Sequence, residues 1–76
     1  MRACLLKNTK SGEKWELGAD TGLIGRVMEA GRYIPDLTYE VTLTGDEMRE
    51  FLSEFPRAKS IPFDRDAEYV LTAWDW

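Results

Sequence analysis

The stretch Tyr69-Val70-Leu71-Thr72-Ala73-Trp74-Asp75-Trp76 decides the fold of this 76-residue chain. Its β-branched and aromatic residues favour a strand. Side chains on a strand alternate between faces, so Val70, Thr72, Trp74 and Trp76 share one face, and Tyr69, Leu71, Ala73 and Asp75 share the other. Both faces carry apolar bulk. A strand at a chain end frays unless something ties it down. It therefore belongs inside a sheet, or its tryptophans wait for a partner.

Upstream, Asp64-Arg65-Asp66 turns the chain into this strand. Residues 57–65 form a connector. Its Lys59-Ser60-Ile61-Pro62 reads as extended, because a residue before proline avoids the helical region, and Ile61 and Phe63 are positioned to pin the connector to the core. Residues 37–56 are the best specified. Leu37, Tyr39, Val41 and Leu43 make a core-facing strand stripe, with Thr38, Glu40, Thr42 and Thr44 toward solvent. Thr44-Gly45-Asp46-Glu47 fits a capping box, with Leu43 and Met48 as its hydrophobic staple. Met48, Phe51, Leu52 and Phe55 then recur at helical spacing until Pro56 stops the helix.

Residues 20–32 admit two readings. As a helix, Asp20 or Thr21 caps it, Leu23, Ile24, Val27 and Met28 share a face, and Gly31 ends it. As a strand, residues 23–28 turn at 29–32 and pair beyond Tyr33. Gly22 and Gly25 each cost a helix up to about 1 kcal/mol; the helix is the preferred reading. At the start, residues 2–7 alternate as a strand, with Ala3 and Leu5 opposite in sense to Cys4 and Leu6. A polar turn over 8–13 leads to a second strand that points Trp15 and Leu17 at the core.

The order strand, strand, helix, strand, helix, strand predicts an α+β fold. A small antiparallel sheet of about four strands carries one or two helices on one face. Residues 1–76 form a single compact domain. Two short helices cannot cover both faces, so part of one stays open. The face reached by Met48, Phe51, Leu52 and Phe55 is core; whether Trp74 and Trp76 or Tyr69 and Leu71 point the other way is left undecided.

Composition narrows the function. The chain is 43% hydrophobic, too apolar for a disordered tail, and 32% charged. It has no long apolar run, which argues against a membrane partner. Its net charge of −4 argues against direct binding of nucleic acid and permits a basic partner. One cysteine, Cys4, reads as a reduced buried residue of a cytoplasmic protein. Histidine is absent. That removes the commonest general base and metal ligand, and with them Ser–His and Cys–His chemistry. Asp64, Asp66 and Glu68 alternate as a calcium loop begins, but its glycine and glutamate places hold Tyr69 and Asp75. Gly22-Leu23-Ile24-Gly25 lacks phosphate-loop spacing. No catalytic residue, cofactor or metal is expected.

Tryptophan, tyrosine and arginine dominate binding hot spots. The expected function is a non-enzymatic protein-binding module that occupies a larger, basic, nucleic-acid-handling protein. Trp74, Trp76 and Tyr33 are its candidate anchors, and Glu40, Glu47, Glu50 and Glu54 its electrostatic rim. A solvated helix face is the plainer reading of the glutamates, and core filling that of Trp74. In size, acidity and lack of catalytic equipment, the chain resembles the short proteins with which bacteriophages and mobile elements inhibit host defence, anti-CRISPR proteins among them. That likeness implies an inhibitor. The alternative is a self-associating structural protein, a homodimer formed through the C-terminal strand. A carboxylate enzyme built on Asp64, Asp66 and Glu68 is the third.

Overall fold

The computed structural model describes residues 2–18, 21–35 and 38–75; of Arg2, Arg57 and Asp75 it describes the backbone. Five strands form one antiparallel sheet: β1 (Arg2–Asn8), β2 (Lys14–Gly18), β3 (Arg32–Ile34), β4 (Thr38–Thr44) and β5 (Glu68–Asp75), in the order β2-β1-β5-β4-β3. Two α-helices, α1 (Thr21–Ala30) and α2 (Gly45–Phe51), pack on one face. The fold is the expected α+β, with one strand more. Trp76 lies outside the described residues, as do Leu37 and the proposed cap Asp20.

The C-terminal strand is the middle of the sheet. β5 pairs with β1 from Arg2↔Asp75 to Asn8↔Tyr69, and with β4 from Thr38↔Trp74 to Thr44↔Glu68. Both of its backbone edges are therefore occupied. Tyr69, Leu71 and Ala73 are each fully buried beneath the helices. Around them gather Cys4, Leu6, Leu17 and Leu43 from the strands, Leu23, Ile24 and Val27 from α1, and Met48 and Leu52 from α2 and its cap.

The start of β5 is fixed by the Tyr69 hydroxyl. It donates to the Pro62 carbonyl at 3.2 Å and accepts from the Asp64 amide at 3.0 Å. The Asn8 side-chain amide approaches it at 3.4 Å. Asn8 is itself buried, and its side-chain oxygen accepts from the Lys10 and Ser11 amides to shape the β1–β2 turn. One buried phenol thus ties the hairpin to the connector, and each polar atom at the junction finds a partner, as burial requires.

α1 is a helix, ended by the Gly31 amide bonding the Val27 carbonyl at 2.7 Å. A Cβ at Gly31 would come within 2.5 Å of the Glu40 carbonyl oxygen. That close approach lets the chain turn straight into β3. β3 is a three-residue edge strand, too short to show a period in the sequence, and is followed by Pro35.

The capping box forms as expected. The Glu47 amide donates to Thr44 Oγ1 at 3.1 Å, and the Thr44 amide donates to Glu47 Oε1 at 3.0 Å. α2, however, ends at Phe51, not Phe55. Ser53 takes the Glu50 carbonyl with both its amide and its hydroxyl, and Phe55, held extended by Pro56, leaves the helix. Phe51 and Phe55 still pack on the core, and the Arg26 guanidinium lies 4.6 Å and 5.9 Å from their ring centroids.

The connector departs from expectation twice. Pro56–Ser60 is a 3-10 turn, so Lys59 and Ser60 are not extended; extension begins at Ile61. Ile61 is buried as anticipated, but Phe63 is 41% exposed and pins nothing to the core.

Candidate protein-binding face

Strand alternation and the observed register settle which side of β5 stays open. With Tyr69, Leu71 and Ala73 under the helices, Val70, Thr72 and Trp74 must face the other way. Leu5 stands beside Thr72, and Ala3 beside Trp74, on the β1 side. On the β4 side, Thr38 stands beside Trp74, Glu40 beside Thr72, and Thr42 beside Val70. β3 adds Ile34 next to Thr38, and Arg32 next to Glu40. Ala3, Leu5, Ile34, Val70 and Trp74 are half-buried, and none belongs to the core that the helices cover.

This face mixes apolar residues with threonines and carries charged residues toward its ends. Lys7 and Lys14 face each other across β1 and β2 at one end, and Glu16 flanks Leu5. Arg32 approaches Glu40 at 4.0 Å on the far edge. Thr38, expected to face solvent with the other even-numbered residues of its strand, is only 7% exposed. Its neighbours Trp74 and Ile34 supply the cover. Leu17 is buried on the core side with Trp15, as strand alternation predicts, and the β1–β2 register shifts at a β-bulge between Cys4 and Leu5. Beside it, a recess of about 200 Å³ opens next to Trp74, lined by Ala3, Leu5, Glu16 and Gly18.

The residues singled out from sequence do not converge on one patch. Trp74 and Glu40 share the open face. Tyr33 is on β3 but on the helix side of the sheet, 55% exposed, with its ring edge-on to Tyr39 at 5.2 Å. Glu47 is engaged in the capping box, Glu54 lies 3.8 Å from Arg26, and Glu50 is exposed on α2. Trp76 lies outside the described residues. The apolar anchor and the acidic strip therefore occupy different layers of the molecule.

Leu5, Ala3, Ile34 and Val70 were not selected as site residues from the sequence. Their signal was faint: Ala3 and Leu5 form the non-core stripe of the first strand, and Val70 shares a stripe with Trp74. Only the strand order sets these stripes side by side. Asp64 serves its turn, with Oδ1 accepting from the Asp66 amide at 2.9 Å and Oδ2 3.4 Å from Lys10 Nζ. Among the described residues, no cluster of three acidic or cysteine side chains is arranged to hold a metal ion. No described helix is long and apolar enough to cross a membrane.

The central place of β5 corrects the form of self-association first considered. A strand already bonded along both edges cannot pair with its copy. No family model matches the chain, and no match is found among curated proteins or solved structures.

Proposed function

We propose that this protein is a non-enzymatic binding module that docks on a larger protein through the open face of its sheet. One observation carries the reading: Ala3, Leu5, Val70, Thr72, Ile34 and Trp74 lie together on a face that neither helix covers. An apolar surface with a charged margin, centred on a tryptophan, has the composition of a protein-binding hot spot. The recess beside Trp74 suits an incoming side chain. The net charge of −4 steers the module toward a basic partner by its overall field. An inhibitor of a nucleic-acid-handling protein, of the phage anti-defence type, is the specific form favoured by size and acidity.

A homodimer is the second reading, with sheets stacked face to face. Glu16 and Arg32 stand at opposite ends of the row that crosses Leu5, Thr72 and Glu40. A copy related by a two-fold axis parallel to β5 sets its Glu16 over Arg32, which favours this pairing at the two edges, and its Leu5 over Glu40.

Affinity capture with three forms of the protein tests the proposal. Thr72→Lys alters the centre of the open face, whereas Glu50→Lys alters exposed α2. A partner retained by the wild type and by Glu50→Lys, and lost with Thr72→Lys, supports the sheet face. Loss with Glu50→Lys alone sinks it. Sedimentation of the wild type at high concentration distinguishes a second copy from a foreign partner.

A further inference from the structure

A second concavity lies on the helical side. Between α2 and the 3-10 turn runs a groove of about 360 Å³. Its floor is Met48, Leu52, Ala58 and Ile61, and its mouth carries Arg49, Lys59 and Phe63. In a chain of net charge −4, no carboxylate is among the described residues that line this groove.

Half of the cations whose side chains are described are paired with carboxylates, and the two at this mouth are not. Lys10, Arg26, Arg32 and Arg65 each have a carboxylate within 4.0 Å. Arg49 and Lys59, like Lys7 and Lys14 on the sheet, have none among the described residues. The Arg49 guanidinium instead rests 5.3 Å from the centroid of the exposed Phe63 ring. Stacking engages the flat face of a guanidinium and leaves its in-plane N–H donors free for a carboxylate. Phe63 thus offers the cation a neighbour that does not neutralise its charge.

We infer that this groove binds an amphipathic monocarboxylate, an aromatic or medium-chain aliphatic acid. The apolar body lies over Met48, Leu52, Ala58 and Ile61, and the carboxylate meets Arg49 and Lys59. The volume falls within the ordinary range for small-ligand pockets, about 300–1,000 Å³. A charge-assisted bond to a planar fork supplies orientation and selectivity over neutral or cationic analogues.

The test is titration of the isotope-labelled full chain with 4-phenylbutyrate, 4-phenylbutanamide and 4-phenylbutylamine, followed by amide NMR shifts. The acid should give saturable shifts at Arg49, Ser53, Ala58, Lys59 and Phe63 below ~10 mM, a range typical of weak ligands. The amide should bind about tenfold more weakly, the difference expected for one charge-assisted hydrogen bond. The amine should give no saturable shift. Lys59→Gln should weaken the acid, and Arg49→Gln should weaken it further, with the unliganded spectra otherwise unchanged. Equal binding of acid and amine, shifts confined to the sheet face, or no saturation overturns the inference. So does an acidic peptide that shifts these amides when 4-phenylbutyrate does not.

Discussion

Trp74 stands directly opposite Thr38 across the β4–β5 ladder, on the sheet face that neither helix covers. Thr38 is nevertheless buried, because an indole on one side and Ile34 on the other enclose it. The face outside the core thus has a small apolar structure of its own. Trp74→Ala removes a half-buried side chain and should lower stability by about 1–2 kcal/mol, less than burial of a full core residue is worth. Leu71→Ala, three positions earlier in the same strand and so on the opposite face, under the helices, should cost about 2–5 kcal/mol. Urea unfolding of the two variants measures the difference, and equal costs would contradict the assignment of faces.

Tyr69→Phe isolates the hydroxyl that joins the hairpin to the connector. The ring stays, but the Asp64 amide and the Pro62 carbonyl lose their shared partner. Stability should fall by about 1–3 kcal/mol, as for buried polar groups left unsatisfied. Amide exchange should accelerate at Asp64, with β4 unaffected.

Thr44→Ala should cost about 1 kcal/mol by opening the capping box. The Glu47 amide loses its acceptor, and Glu47 loses the geometry that turns it back to the Thr44 amide. Far-ultraviolet circular dichroism and urea unfolding check this, with a loss confined to the first turn of α2.

Gly45→Ala reverses the usual order of helix propensity. Alanine is the better helix former, yet a Cβ at this first helical position would run into the Asp64 carbonyl and the Arg65 backbone. The overpacking should destabilise by about 1–3 kcal/mol. A stabilised variant in thermal unfolding would show that the 64–65 turn moves aside freely.

Where signals were local, the sequence was readable. The capping box needed only four consecutive residues, and the period-two stripe of β4 only seven. β5 was recognisable from its composition. β3 was not, because three residues between Gly31 and Pro35 carry no period and are held as a strand by their pairing with β4. The end of α2 was misplaced because Phe55 sits at helical spacing yet is drawn extended by Pro56. Phe63 was assigned to the core for its size, but the groove beside it is floored by Met48, Leu52 and Ile61. The open face was legible in halves. Val70, Thr72 and Trp74 alternate in one stretch, whereas their neighbours Leu5 and Ile34 arrive from distant parts of the chain through register alone. The acidic residues were grouped by charge, and the fold distributes them between the capping box, an ion pair with Arg26 and the margin of the sheet.

Site-specific photo-crosslinking tests the docking face most directly. A benzophenone side chain placed at position 72 and, separately, at position 50 is irradiated in the cells that make the protein. The account predicts a discrete covalent adduct from position 72, to a larger protein or to a second copy, and none from position 50. An adduct from position 50 with none from position 72 would contradict it.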